Sequence, residues 1–393
     1  MALPRTRVTE TPRFADFGPP LFAWSHPERS FRAAAWGEVD RREGTSVREL
    51  LGGLDAAAEL PFGPWFGAVA FDPSRPLGRD WSGFSAVRFT LPALLAWSDG
   101  DRHFLATFGD RAHARLDELR RAASPRAHIV PRRGERERWD TLVARALANI
   151  ASGALDKVVV ARALEVESDA DFDCDAIVRA LEERYPTCRT FLLRGDGGAA
   201  FVGSTPETLC LVDGAEVYTE ALAGSARPGE IAALLGNRKE LREHRWVVDH
   251  LIAALGPLCD SLTRRPEPGV RQLANVAHLH TPVAARLSAG RSTADVAAAL
   301  HPTPAVGGVP SEAALSFLAE HECLDRGLYA GIVGWVGNGR AELAVALRSA
   351  VVRGRRARLF VGAGIVEGSA AAAEWAETEL KARALLDALG ASP

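Results

Sequence analysis

The rhythm of hydrophobic and polar positions changes several times along this chain, and the changes divide it. The first 130 or so residues carry short strand-like apolar runs, at 65–71 and 87–97, between Pro and Gly breaks. A basic, proline-bearing stretch over 124–134 reads as an exposed connector, and a helix-period segment follows over 135–152. Residues 157–166 read as a strand. Two hairpins come next: 191–194 and 199–202 flank Gly195-Asp196-Gly197-Gly198, and 209–212 and 216–219 flank Asp213-Gly214. A long amphipathic helix is expected over 237–262. A meander follows at 331–336, 342–352 and 358–361, turning at Asn338-Gly339 and Arg353-Gly354, and an Ala-rich helix closes the pattern over 371–389. Strands grouped with strands, without a βαβ rhythm, predict an α+β fold with antiparallel sheets.

Composition narrows the classes. A length of 393 residues suits one large domain or two ordinary ones, and 47% hydrophobic with 25% charged residues suits a sizeable core. A net charge of −3 gives no electrostatic case for nucleic acid or an anionic membrane as partner. No run approaches the roughly 18 apolar residues of a membrane span, and residues 1–20 carry no signal-peptide core. Cys174, Cys188, Cys210, Cys259 and Cys323 are scattered and form no C-x-x-C pair, so free thiols and a cytoplasmic location are expected.

Five segments could carry chemistry. Glu240 and Glu243 are three apart on an expected helix, as are Glu374 and Glu377, so each pair shares one helix face. Two such faces turned together would offer the hard oxygen ligands Mg²⁺ prefers, although the spacing equally describes two solvated faces. The run Gly362-Ala-Gly-Ile-Val366 would let backbone approach a ligand at Gly362 and Gly364, or simply make a tight strand-to-helix turn. Lys157 heads its strand. On the inward face it would be desolvated and able to act as a base, whereas a lysine at a strand's wet end is the commoner arrangement. In Gly203-Ser-Thr-Pro-Glu207, Pro206 reads as a helix start, and Glu207 as a first-turn acid or, if buried, a proton donor. His301-Pro-Thr-Pro-Ala-Val-Gly-Gly-Val-Pro310 is a stiff irregular loop of the kind that lines pockets. His278 is a further candidate, against a satisfied core histidine.

In this order the segments resemble the chorismate-utilising enzymes, the family of isochorismate synthase, salicylate synthase and the large components of anthranilate and aminodeoxychorismate synthase. The resemblance runs from Lys157 to Lys381. It rests on Lys157-Val-Val, Gly203-Ser-Thr-Pro-Glu207, Ala223-Gly-Ser225, Glu243-His244, His278-Leu279, Arg326-Gly-Leu-Tyr-Ala-Gly331, and Gly362-Ala-Gly-Ile-Val366 with Glu374-Trp-Ala-Glu377. Ala370-Ala371 stands where many relatives have a proline, and Leu328 replaces a common Trp; neither position supplies a functional group.

The resemblance implies two packed antiparallel sheets surrounded by helices. It also implies a single enzyme domain over 1–393, with the weakly matching 1–150 completing the sheets and 151–393 bearing the motifs. It makes Mg²⁺ the cofactor, with Glu243 and Glu377 as direct ligands and Glu240 and Glu374 holding the ion's waters. Arg348 and Tyr329 would meet the enolpyruvyl carboxylate of chorismate. Gly224, Ser225, His278, Gly362, Gly364 and Lys381 would line the substrate site, Lys157 would be the base, and Glu207 the acid. Lys157 points to the water-using branch, formation of isochorismate without a glutamine amidotransferase partner, with salicylate formation as the alternative. The 301–310 loop looks like the isochorismate-forming version.

Overall fold

The computed structural model describes residues 6–392 apart from 15–16, 55–59, 61, 109–126, 227–228 and 274–275. Its strands form two mainly antiparallel sheets, thirteen-stranded and ten-stranded among the described residues, packed face to face and flanked by helices. The central strands are buried at nearly every position, one face against the other sheet and the other beneath helices or loops. Phe22 from the larger sheet meets Phe66 from the smaller with ring centroids 4.8 Å apart. Strands from the first 150 residues enter both sheets: Phe22–His26 pairs with Arg189–Arg194, and Trp65–Val69 with Ile332–Gly337.

One ribbon joins the sheets. Ala200–Thr205 pairs with Ser349–Arg353 in the larger sheet, and Thr208–Asp213 pairs with Arg340–Val345 in the smaller. Between them Pro206-Glu207 on one strand and Ala346-Leu347-Arg348 on the other leave the ladder. Pro206 has no N–H to give it, and Arg348 takes a left-handed φ of 48°. The crossing is closed by hydrogen bonds from Thr205 Oγ1 to the Val345 carbonyl (2.6 Å), Val345 N to the Glu207 carbonyl (3.1 Å) and Ser204 N to the Arg348 carbonyl (3.2 Å). Pro206 therefore starts no helix, and the run at 342–352 is two strands in two sheets.

Other boundaries also differ from expectation. The run at 87–97 is two strands, Val87–Leu91 and Leu94–Asp99, broken at Pro92. The helix expected over 237–262 is Arg238–Leu255; Gly256-Pro257 ends it, and Cys259–Arg264 is a strand at a sheet edge. Part of the expected connector is a strand, Ala127–Val130, paired with the end of Lys157–Ser168; residues 124–126 lie outside the described residues. Gly362 to Val366 is no turn but the end of strand Arg356–Val366, paired with Lys157–Ser168.

Two helices carry the acidic doublets to one place. Asn237 caps Arg238–Leu255, its side chain accepting from Lys239 N and Glu240 N, and the helix packs on strand Glu216–Ala226 of the smaller sheet. Helix Ala371–Ala388 packs on strand Arg356–Val366 of the larger sheet. Both border a cleft beside the crossing ribbon.

Candidate active site

The cleft measures about 860 Å³ including its mouth. Glu240, Glu243, Glu374 and Glu377 all line it, so the spacing did mark two helix faces turned toward each other. Each carboxylate already has a partner. Glu243 Oε1 lies 2.7 Å from Lys157 Nζ, Glu374 pairs with Lys239 at 3.0 Å, Glu377 with Lys381 at 2.6 Å, and Glu240 accepts from Ser225 N at 2.9 Å. Burial, then the neighbouring Glu243, push Glu240 up to about 7, and burial raises Glu374. Burial would raise Glu377 too, but the Lys381 ammonium outweighs it and holds this carboxyl below its usual range. Among the described residues no three acidic, His or Cys side chains stand in a metal-binding cluster. The donor chemistry nevertheless suits Mg²⁺: four carboxylates on two helices face one cleft, with three lysines holding the places a cation would take.

Lys157 is 0% exposed and lies beneath the cleft wall, behind Glu243. Its Nζ is close to that carboxylate but off the hydrogen-bonding direction, and it has no hydrogen-bond partner among the described residues. Its strand is covered on one side by Arg356–Val366 and on the other by Gly308-Val309 of the proline-rich loop, which pair with Lys157 and Val158. Gly364 is needed beside it, since a Cβ there would stand 2.6 Å from Glu243 Oε1 and 3.2 Å from Lys157 Cε. Lys381 Nζ also donates to the Gly362 carbonyl at 3.1 Å.

Glu207 projects into the cleft from the ribbon crossing. Burial, reinforced by the nearby Glu220 carboxylate, pushes it up to about 8, so its carboxyl keeps a proton at neutral pH; Lys157, Lys381 and Arg348 act in the opposite sense. Arg348 enters from the other strand of the same crossing. Its Nη2 lies 3.5 Å from His278 Nε2, while His278 Nδ1 lies 3.1 Å from the Gly224 carbonyl and 3.2 Å from Ser225 Oγ. A carbonyl only accepts, so the His278 proton is assigned to Nδ1 and Nε2 is left to accept from Arg348. Burial and the Arg348 charge lower His278 to about 3, which makes it a neutral spacer that orients the guanidinium. Gly224 bulges out of its strand pair at φ 77°, which turns its carbonyl to the histidine and Ser225 N to Glu240. Tyr329, stacked on Phe360, sets its hydroxyl over Gly362.

Thirteen of the fourteen residues singled out from the sequence line this one cleft, and Lys157 lies directly behind it. Several neighbours were given no individual role from the sequence. Lys239 meets Glu374 across 135 positions of chain, a pairing no local pattern reports. Arg326 grips Glu322 with two bonds and also donates to the carbonyls of Val306 and Val159, which ties the proline-rich loop to the Lys157 strand. Ala305 and Val306 of that loop line the cleft. Glu220, Arg271 and His280, behind Glu207, are strand residues whose alternation gives no hint of their cluster.

The family described as "Chorismate binding enzyme" matches residues 54–390. A Pseudomonas aeruginosa protein named "Salicylate biosynthesis isochorismate synthase" is 34% identical, over 95% of this chain and 85% of its own length. The Bacillus subtilis "Isochorismate synthase MenF" is 30% identical, over 94% and 88%. Among solved structures, the menaquinone-specific isochorismate synthase MenF of Escherichia coli superposes with a TM-score of 0.83 at 29% identity, covering 99% of this chain and 95% of that one. Anthranilate synthase component I of Streptococcus pneumoniae, at 21% identity and a TM-score of 0.72, shares the fold. With most of its length matched by the family and the motifs gathered around one cleft, the chain belongs to the chorismate-binding enzymes.

Proposed function

We propose that this protein is an isochorismate synthase, an isomerase that adds water at C2 of chorismate and expels the C4 hydroxyl. The observation that carries this reading is that one cleft combines a fully buried lysine behind its wall with a glutamate whose burial favours the protonated form. The isochorismate synthase names of relatives matched over most of the chain support it. In this reading Arg348 and Tyr329 receive the enolpyruvyl carboxylate, the guanidinium offering two parallel N–H donors. Glu243 and Glu377, with Glu240 and Glu374 beside them, would hold Mg²⁺, which would supply positive charge for the ring carboxylate in the part of the cleft lined by Gly362, Gly364, Gly224 and Ser225. Its binding would release Lys157, Lys239 and Lys381 from the carboxylates they now hold.

Lys157, in its neutral amine form, then takes a proton from the attacking water as the water oxygen bonds to C2. The ring double bond shifts, and Glu207 gives its proton to the C4 oxygen as that bond breaks. Returning the proton from Lys157 to Glu207 through solvent resets the site, so the net change is an isomerisation. Water as nucleophile requires no glutamine amidotransferase partner. No helix among the described residues is long and apolar enough to cross a membrane, and we take the chain as one catalytic unit acting in the cytoplasm. Chromatography of chorismate and Mg²⁺ incubated with the purified protein at neutral pH tests the reading. Isochorismate accumulating as such is expected; salicylate and pyruvate, formed equally and at the rate of chorismate loss, would transfer the protein to the salicylate-forming branch.

A further inference from the structure

Behind Glu207 lies a buried cluster that the steps above do not use. Glu220 sits on strand Glu216–Ala226, and its Oε1 accepts from Thr208 Oγ1 at 2.6 Å and from Thr208 N at 3.3 Å. Arg271 grips both Glu220 oxygens at 2.7 Å, and the same Nη1 reaches the Pro206 carbonyl at 3.2 Å. His280 Nε2 at 2.9 Å and Tyr218 OH at 3.1 Å complete the shell of Glu220 Oε2. The residues on either side of Glu207 are thus both tied to one buried ion pair, Pro206 through Arg271 and Thr208 through Glu220. Pro206 belongs to neither ladder, so its tie is one the sheets do not supply, and Thr208 gains the Glu220 bonds beyond its pairing with Ala344.

We infer that Glu220 and Arg271 form a positioning clamp for Glu207: they hold the ribbon crossing so that its side chain stands in the cleft, and they set a fixed negative charge behind it. Two features separate this from ordinary core packing. An ion pair with a wholly buried carboxylate is a costly way to brace a turn, because that charge must be stripped of water. And Glu220, bonded to Thr208 next in chain to Glu207, opposes loss of the Glu207 proton through its negative charge. The groups that face Glu207 from the other walls are Lys157, Lys381 and Arg348, all cationic, and the Tyr329 hydroxyl. Glu220 is an anion set against them from behind, while the Glu243 and Glu377 carboxylates that also border the cleft each stand beside a lysine of their own. Without Glu220 burial alone would oppose the three cations, and the glutamate would give up its proton at a lower pH.

This inference rests on Glu207 being the proton donor, so the test uses a readout besides turnover. The protein labelled with carboxyl ¹³C-glutamate is titrated by NMR, with the Glu207 resonance assigned by its loss in Glu207→Gln. In the unaltered protein Glu207 should titrate well above, and Glu220 well below, the ordinary carboxylate range. Glu220→Gln, which keeps the acceptor for Thr208 but removes the charge, should move the Glu207 midpoint down by about one unit or more. The basic limb of kcat/KM for chorismate should follow it, while chorismate binding below the limb stays within about threefold. Glu220→Asp, which keeps the charge one methylene further back, should give a smaller shift, and it serves in place of Glu220→Gln if that variant does not fold. A Glu207 midpoint unmoved in whichever variant folds would overturn the clamp, even if stability or turnover fell. A shifted midpoint in a protein that makes no isochorismate would instead overturn the proposed reaction and leave the clamp standing.

Discussion

Lys157 Nζ and Glu243 Oε1 stand 2.7 Å apart with the lysine wholly buried and the glutamate at the cleft wall. The two ends of this pair are unequal, because water can reach the carboxylate from the cleft but cannot reach the ammonium. Removing the carboxylate leaves a buried charge without a counter-ion, a loss of about 3–5 kcal/mol for a buried pair. Glu243→Gln should therefore melt well below the unaltered protein. Lys157→Met, which removes the buried charge and keeps the packing volume, should melt near it or above, and the double variant should recover much of the Glu243→Gln loss. Thermal denaturation of the three variants in chelator reads this directly, and equal losses for both single variants would refute the asymmetry.

Lys157→Ala should lower the rate of water addition by about 10²–10⁴-fold, the usual contribution of a positioned base, with its orienting role on top. Chorismate affinity, measured by titration at a temperature where both proteins are folded, should change far less. Near-normal turnover would make Lys157 a bystander and revive an ammonia-using reading of the site.

Metal dependence follows from the carboxylates. Activity should vanish in excess chelator and return with Mg²⁺, and Glu243→Gln and Glu377→Gln should each lose it, since each removes an anionic ligand for the dication. The Glu377 partner is Lys381, one helical turn on. Lys381→Met should therefore free that carboxylate and tighten Mg²⁺ binding measured by calorimetry. Full activity in excess chelator would sink the metal assignment.

The pH dependence has a defined sign. Glu207 is raised from an ordinary value of 4.5 to about 8, so the proton-donating form prevails below about pH 8 and is lost above it. The free-enzyme profile, kcat/KM, should fall on its basic side near pH 8, and the limb should be absent from whatever residual rate Glu207→Gln retains. The same shift acts on folding. A carboxyl raised in the folded state adds stability that is fully present below its unfolded value near 4.5, and that is lost as pH rises toward 8. Glu207→Gln should accordingly gain on the unaltered protein in melting temperature between pH 5 and 9, and an unchanged difference across that range would contradict the burial argument.

Much of this protein was legible before any coordinates. The 3.6-residue period placed Glu240 with Glu243 and Glu374 with Glu377 on helix faces, the hairpin signals at Gly195–Gly198 and Asp213-Gly214 hold, and the ordered motifs identified the family. These are local properties, set by dihedral preferences and side-chain spacing within a few residues. What the sequence could not contain was the crossing. Pro206-Glu207 and Ala346-Leu347-Arg348 read as a helix start and as mid-strand, because local pattern does not report when a strand leaves one sheet for another. Yet that departure sends Glu207 and Arg348 into the cleft. The ion pairs are equally remote from local pattern: Lys239 with Glu374, Lys157 with Glu243, and Arg271 with Glu220 join residues 51 to 135 positions apart. Spacing along the chain fixed which side chains share a face. Only the packing of the two sheets decided which charges meet, and so which glutamate stays protonated, because burial and neighbouring charge act through space.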